Sequence, residues 1–131
     1  MTVFADTSAL YALLDTDDRN HRRAAALWRS QVEEGRLITH AYVVVETTAL
    51  VQARLGKTAA IALHGDLLRV VNILAVDAVT HGQAVARWST LGERRLSLVD
   101  VTSFVVMDDL GVDTAFAFDD GFVRAGFRLV E

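Results

Sequence analysis

The sequence predicts an α/β domain whose mostly parallel sheet is covered on both faces by helices. Two observations lead there. Short apolar, β-branched runs alternate along the chain with longer stretches in which apolar residues recur at helical spacing. Two of the short runs, VFA and ILAV, are apolar at every position, as strands of a covered parallel sheet require. With 131 residues, 52% of them apolar, and no linker, repeat or low-complexity stretch, the chain is expected to form one domain over residues 1–131.

Residues 2–6, TVFAD, read as a buried strand that stops at Asp6 and feeds a helix. The cluster at 15–18, Asp-Thr-Asp-Asp, forms a turn and N-cap opening a second helix over about 19–34, where Ala24, Leu27, Trp28 and Val32 share a face and Gly35 ends it. Residues 36–39 are a second strand. A helix over 41–55 ends at Gly56, and Thr58 is placed to cap a further helix reaching about Val70. Residues 73–76 form a third strand, followed by a helix over about 78–91 bearing Val79, Ala84, Val85 and Trp88. After a polar loop at 92–95, Ser97 and Asp100 make a capping box for a helix that ends near Gly111. Residues 114–118 and 127–130 are the last strands, separated by the turn Asp119-Asp-Gly-Phe. Trp28 and Trp88, at core spacing on their helices, are read as packing residues.

Composition removes several chemistries. Without cysteine there are no disulfides, thiolate zinc sites, iron–sulfur clusters or thiol nucleophiles. The N-terminus lacks the basic flank of a secretory signal, and no apolar run reaches the roughly 18 residues of a membrane helix, so a cytoplasmic protein without membrane contact is expected. A net charge of −4 argues against an indiscriminate nucleic-acid coat but allows a local basic patch. Of the 13 basic residues all but Lys57 are arginine, which favours planar, bidentate recognition of phosphate or carboxylate.

Most acidic residues fall in turns, on helix ends or on polar faces. Four do not: Asp6 closes VFA, Glu46 follows VVV inside a helix, Asp100 sits between LSLV and VTSFVV, and Asp119 closes AFAF. A carboxylate among apolar neighbours is costly unless a cation compensates it, and no Arg or Lys lies within three residues of Asp6, Glu46 or Asp100. Asp6 and Asp119 stand at strand ends, where α/β sheets gather their ligand sites, and Asp100 stands at a helix N-terminus. Glu46 shares a stripe with Tyr42, Val43, Ala49 and Leu50 that is expected to face the core. Asp120 reads as a turn residue, although the sequence alone leaves a swap with Asp119 open. An all-oxygen carboxylate site suits Mg²⁺ or Mn²⁺, one ion or two, and such ions serve phosphoryl displacement. The four histidines, His21, His40, His64 and His81, show no acid–base pairing pattern.

The segments VFADTSALYALLD, Glu46 in its apolar helix, LSLVDVTSFVVM and AFAFDDGFVRAGFRLV make the chain similar, over nearly its whole length, to the PIN-domain ribonucleases and specifically to VapC-like toxins of bacterial toxin–antitoxin pairs. The resemblance implies a three-layer α/β/α sandwich and Mg²⁺- or Mn²⁺-dependent endonucleolytic cleavage of RNA, commonly tRNA or ribosomal RNA. It also implies homodimerisation and inhibition by a cognate antitoxin. It carries the family's acidic quartet onto Asp6, Glu46, Asp100 and Asp119 as catalytic metal ligands, Asp6 and Asp100 foremost. Thr7 and Ser103 become hydroxyls that hold these carboxylates in place. Two positions depart from the family pattern: Val99 stands where Thr is frequent, and Gly121 where a further acid often follows Asp119. For RNA, Arg94 and Arg95 in the loop before Asp100 are the leading phosphate contacts, with Arg22 and Arg23 after them.

Two other functions use similar residues. A PIN-like fold could act as a non-catalytic protein-binding module whose acids meet a partner's arginines. A receiver-type phosphoacceptor domain also gathers carboxylates at strand ends, but it wants an acidic pair after the first strand and a lysine near the last, where this chain has Asp6-Thr-Ser and the single Lys57.

Overall fold

In the computed structural model, which describes residues 1–131, five parallel strands stand in the order β3-β2-β1-β4-β5. β1 (Val3–Ala5) is central, flanked by β2 (Leu37–His40) and β4 (Thr114–Phe116), while β3 (Val71–Leu74) and β5 (Arg128–Leu129) form the edges. Helices fill every connection, because parallel neighbours need a crossover. α1 (Thr7–Leu14) and α2 (His21–Glu34) join β1 to β2, and α3 (Ala41–Leu55) and α4 (Lys57–Ala62) lead towards β3. α5 (Ala78–Thr90) and α6 (Leu98–Leu110) lead to β4, and α7 (Gly121–Arg124) precedes β5. The result is an α/β sandwich. Val3, Phe4 and Ala5 are wholly buried, which explains why β1 is apolar at every position. Trp28 of α2 packs on Phe116 of β4, and Phe104 of α6 packs on Phe122 and Phe127.

Gly35 and Gly111 end α2 and α6 in the left-handed conformation, with φ of 71° and 67°. Several expected boundaries move. β3 begins two residues earlier than the apolar run suggested, because its register is set by pairing Leu37 with Val71 and His40 with Leu74 across β2. Thr58 does not cap α4. Gly56, at φ 95°, reverses the chain so tightly that the helix starts at Lys57 without a side-chain cap. Nor does α4 run regularly to Val70: it gives way to a π-helical turn at Leu63–Leu67 and a 3₁₀ turn at Leu68–Val70. The aspartates before α2 shape the turn rather than cap the helix, Asp15 and Asp18 accepting from the N–H of Asp17 and Asn20 at 3.0 and 2.8 Å. The expected turn after Asp119 contains the short helix α7.

The chain leaves the central strand in one direction to β2 and β3 and later returns on the other side to β4 and β5. Strand order therefore reverses between β1 and β4, the point beyond whose carboxyl ends open α/β sheets gather their ligand sites. Asp6 and Asp119 lie on the two segments that leave those ends.

Candidate active site

Asp6 directly follows β1 and is the N-cap of α1. Its Oδ2 accepts from the Ser8 amide at 3.2 Å and from the Ser8 hydroxyl at 2.8 Å, the usual way a capping side chain satisfies a helix terminus. The residue is only 4% exposed. Burial pushes its carboxyl up to about 7, against the Ser8 hydrogen bond, and the negative charge of Asp100 pushes it further the same way.

Asp100 occupies the third position of α6 and completes the expected capping box. Its Oδ2 accepts from the Ser97 amide at 3.0 Å, and its own amide donates to the Ser97 hydroxyl at 3.1 Å. Capping engages Oδ2 alone. Burial raises this carboxyl as well, with Ser97 opposing and the charge of Asp119 adding to the rise.

Glu46 projects from α3 and is partly buried; burial is the main cause of its raised carboxyl, the Thr7 hydroxyl opposes it, and Asp100 again adds to it. The stripe expected around it is not a core face throughout. The residues of α3 that bury are Val43, Thr47 and Val51, and Ala49 is exposed, so Glu46 lies at the edge of the core. Thr7 is buried beside it and accepts a hydrogen bond from the Thr47 hydroxyl at 2.9 Å.

The adjacent acids after β4 are separated by their partners. Asp120 Oδ2 takes the Arg124 guanidinium at 2.9 Å, and Arg124 also pairs with Glu93. Asp119 has no cation: its Oδ1 accepts from the Gly121 amide at 2.8 Å, and it is Asp119 whose charge reaches Asp100. Gly121 is packed tightly, since a Cβ there would come within 3.2 Å of both Asp119 Oδ1 and Leu96.

Asp100 is thus electrostatically coupled to Asp6, Glu46 and Asp119. The ion pairs of the molecule are Arg87 with Asp108 and Arg124 with Glu93 and Asp120; none reaches these four acids. They are not drawn into a closed cage either, for no three acidic or histidine side chains are tight enough to hold one ion. Uncompensated like charges stand apart. The donor chemistry nevertheless fits a hard divalent cation: oxygen only, anionic, and without a competing guanidinium.

Contrary to what the resemblance implies, Ser103 does not hold a carboxylate in place. Its hydroxyl donates to the Val99 carbonyl at 3.0 Å and lies 2.8 Å from His40 Nε2, so it is engaged away from the carboxylates. His40 is wholly buried at the end of β2 and caps α3, its Nδ1 accepting from the amides of Tyr42 and Val43 at 3.2 and 3.3 Å. Nε2 therefore carries the proton towards Ser103, and burial holds the imidazole neutral, with its pKa down at about 4. Ser8 is the hydroxyl that sequence reasoning missed. It donates to Asp6 and accepts from the Phe118 amide at 3.0 Å, tying the turn after β1 to the segment that carries Asp119. Its position at the second residue of a capped helix was the available signal. Arg94 and Arg95 lie exposed on the loop before α6 with no acidic partner, and Arg22 and Arg23 are exposed on α2. Trp28 packs as expected, but Trp88 is 44% exposed and does not belong to the core.

Residues 3–128 match the PIN domain family. The chain is 37% identical over 128 residues to the 23S rRNA-specific endonuclease VapC20 of Mycobacterium tuberculosis, covering 95% of each protein. It superposes on the crystal structure of VapC20, described as a sarcin–ricin loop cleaving toxin, with a TM-score of 0.88 over 96% of both chains. FitAcB from Neisseria gonorrhoeae, 20% identical, shares the fold at a TM-score of 0.68, with 99% of this chain and 97% of that one covered. The match leaves no place for a receiver-type phosphoacceptor. No helix is long and apolar enough to cross a membrane. This chain belongs to the PIN-domain family, among its VapC-like ribonuclease toxins.

Proposed function

We propose that this protein is a Mg²⁺- or Mn²⁺-dependent endoribonuclease that cleaves ribosomal RNA and is held in check by a cognate antitoxin. The carrying observation is that burial raises Asp6, Glu46 and Asp100 together, the charge of Asp100 adds to the first two and that of Asp119 to Asp100, while the ion-paired arginines bind other acids. The chemistry a divalent cation would supply there is activation of a water and stabilisation of the leaving oxygen in an in-line phosphoryl displacement. Asp6, Asp100, Glu46 and Asp119 are the residues that would hold it. Ser8 and Thr7 orient Asp6 and Glu46 from behind, and the capping box fixes the direction of Asp100. Ribosomal RNA is favoured over tRNA by the 37% identity with an endonuclease named for 23S rRNA. Action on ribosomes entails a cytoplasmic location, and the family likeness supports a homodimer.

The test is incubation of purified protein with ribosomes and with total tRNA in Mg²⁺, in Mn²⁺ and in excess EDTA, with Asp100→Asn alongside. Discrete cleavage of 23S rRNA that vanishes in EDTA and in the variant is expected. Undiminished cutting in EDTA overturns the metal assignment; a protein that binds RNA or antitoxin but cuts nothing is the non-catalytic module instead. Light scattering of the free chain reads the dimer.

A further inference from the structure

A second feature neighbours the acidic site. The loop between α5 and α6 and the end of α5 enclose a concavity of about 700 Å³ whose wall includes Trp88, Glu93, Arg94, Leu96 and Ser97. Trp88 is 44% exposed, yet it is not loose: its indole N–H donates to the Leu96 carbonyl at 3.2 Å, holding the ring against the loop. Two residues of the concavity's wall adjoin the site. Ser97 caps Asp100, and Leu96 packs beside Gly121 and Asp119. Its charge is one-sided, because Glu93 is neutralised by Arg124 whereas Arg94 has no acidic partner. An exposed, anchored aromatic ring and an unpaired guanidinium in one concavity, whose wall includes the Ser97 that caps the helix of Asp100, match a nucleotide: a flat base and an anionic phosphate.

We propose that Trp88 is the stacking platform for an unpaired base of the RNA flanking the scissile phosphate, and that Arg94 takes that nucleotide's phosphate. The assignment rests on the ribonuclease reading for its biological context but makes its own prediction about binding. The occupant is single-stranded RNA or a loop, because a paired base has no free face to offer an indole. Stacking tolerates any base, so Trp88 contributes affinity and position while sequence choice lies elsewhere.

The test measures binding in EDTA, where cleavage does not intrude. A Trp28→Phe background leaves Trp88 as the only indole, since the chain has two tryptophans. A labelled oligoadenylate and an abasic ribose-phosphate oligomer of equal length and charge are compared by anisotropy and by quenching of tryptophan emission. Expected are quenching by oligoadenylate alone and binding at least about 10-fold tighter than the abasic chain, the scale of one stacked base. Trp88→Phe should keep most of that margin and Trp88→Leu should lose it, while Arg94→Gln should weaken both oligomers and lower the salt dependence by about one phosphate contact.

Equal binding of the two oligomers by the Trp28→Phe protein, or no quenching, overturns the proposal without recourse to a Trp88 variant. Equal losses in Trp88→Phe and Trp88→Leu overturn it too, and assign Trp88 to holding the loop through Leu96. A protein that shows the base-dependent binding but cuts no RNA in Mg²⁺ or Mn²⁺ sinks the ribonuclease reading and leaves this one standing; the converse result separates them the other way.

Discussion

Burial raises the carboxyl of Asp6 at the end of β1 and the charge of Asp100, in the first turn of α6, raises it further, so two segments 94 positions apart in the chain share one electrostatic site. Asp6 ionises near 3.8 in the unfolded chain and at about 7 in the folded one. Between those values the folded state holds the extra proton, and stability falls as pH rises. His40 has the opposite slope between about 4 and 6.5, because it is neutral when folded. Comparison with Asp6→Asn at each pH cancels that term. In EDTA, Asp6→Asn should exceed the native melting temperature by a margin that widens from pH 5 to pH 8, the widening being equivalent to roughly 2 to 3 kcal/mol. Mg²⁺ should narrow the gap at pH 8 and leave pH 5 unchanged, since the cation takes the proton's place. A gap independent of pH removes the buried-carboxylate account.

Asp119 and Asp120 are neighbours with different company, and their amide variants should part accordingly. Asp119→Asn removes a charge that acts on Asp100, and RNA cleavage should fall at least about 10-fold, the lower range for loss of a metal-site partner. Asp120→Asn removes an exposed ion pair with Arg124, worth about 0 to 1 kcal/mol, and should cleave normally. The reverse ranking in cleavage assays transfers the role to Asp120.

Ser8 lowers the carboxyl of Asp6 by hydrogen bonding to it. Ser8→Ala should therefore move the acidic limb of the pH–rate profile upward, with activity depressed at pH 7 and recovering at higher pH. The variant also leaves the Phe118 amide without its acceptor, at a cost of about 1 to 3 kcal/mol in urea unfolding. An unshifted limb with the same stability loss reduces Ser8 to a purely structural residue.

His40→Ala should destabilise without touching chemistry. It removes the cap of α3 and the partner of Ser103 and opens a cavity, together about 2 to 5 kcal/mol. Cleavage per folded molecule, measured at low temperature, should stay within about twofold. A selective loss of rate with intact stability places His40 in the catalytic machinery.

Much of the molecule was legible in the chain. α3 spans the predicted residues, the Ser97–Asp100 box forms as its spacing requires, and Gly35 and Gly111 stop their helices. These features depend on neighbours three or four positions away, and local sequence encodes them. The phase of β3, the irregular run after α4 and the helix following Asp119 were not readable, because strand pairing and the turn at Gly56 decide them.

The sequence by itself determined the alternation of buried strands and helices, and it marked Asp6, Glu46, Asp100 and Asp119 as acids in apolar surroundings, since desolvation is already implied by the residues beside them. Only the tertiary structure decided which groups act on one another. It turned Ser103 away to His40, tied the Ser8 hydroxyl to the Phe118 amide, and placed Asp100 where its charge reaches Asp6 and Glu46. These partners lie tens of residues or more apart in the chain. No local pattern carries that information, because it arises when the parallel sheet brings its carboxyl ends together.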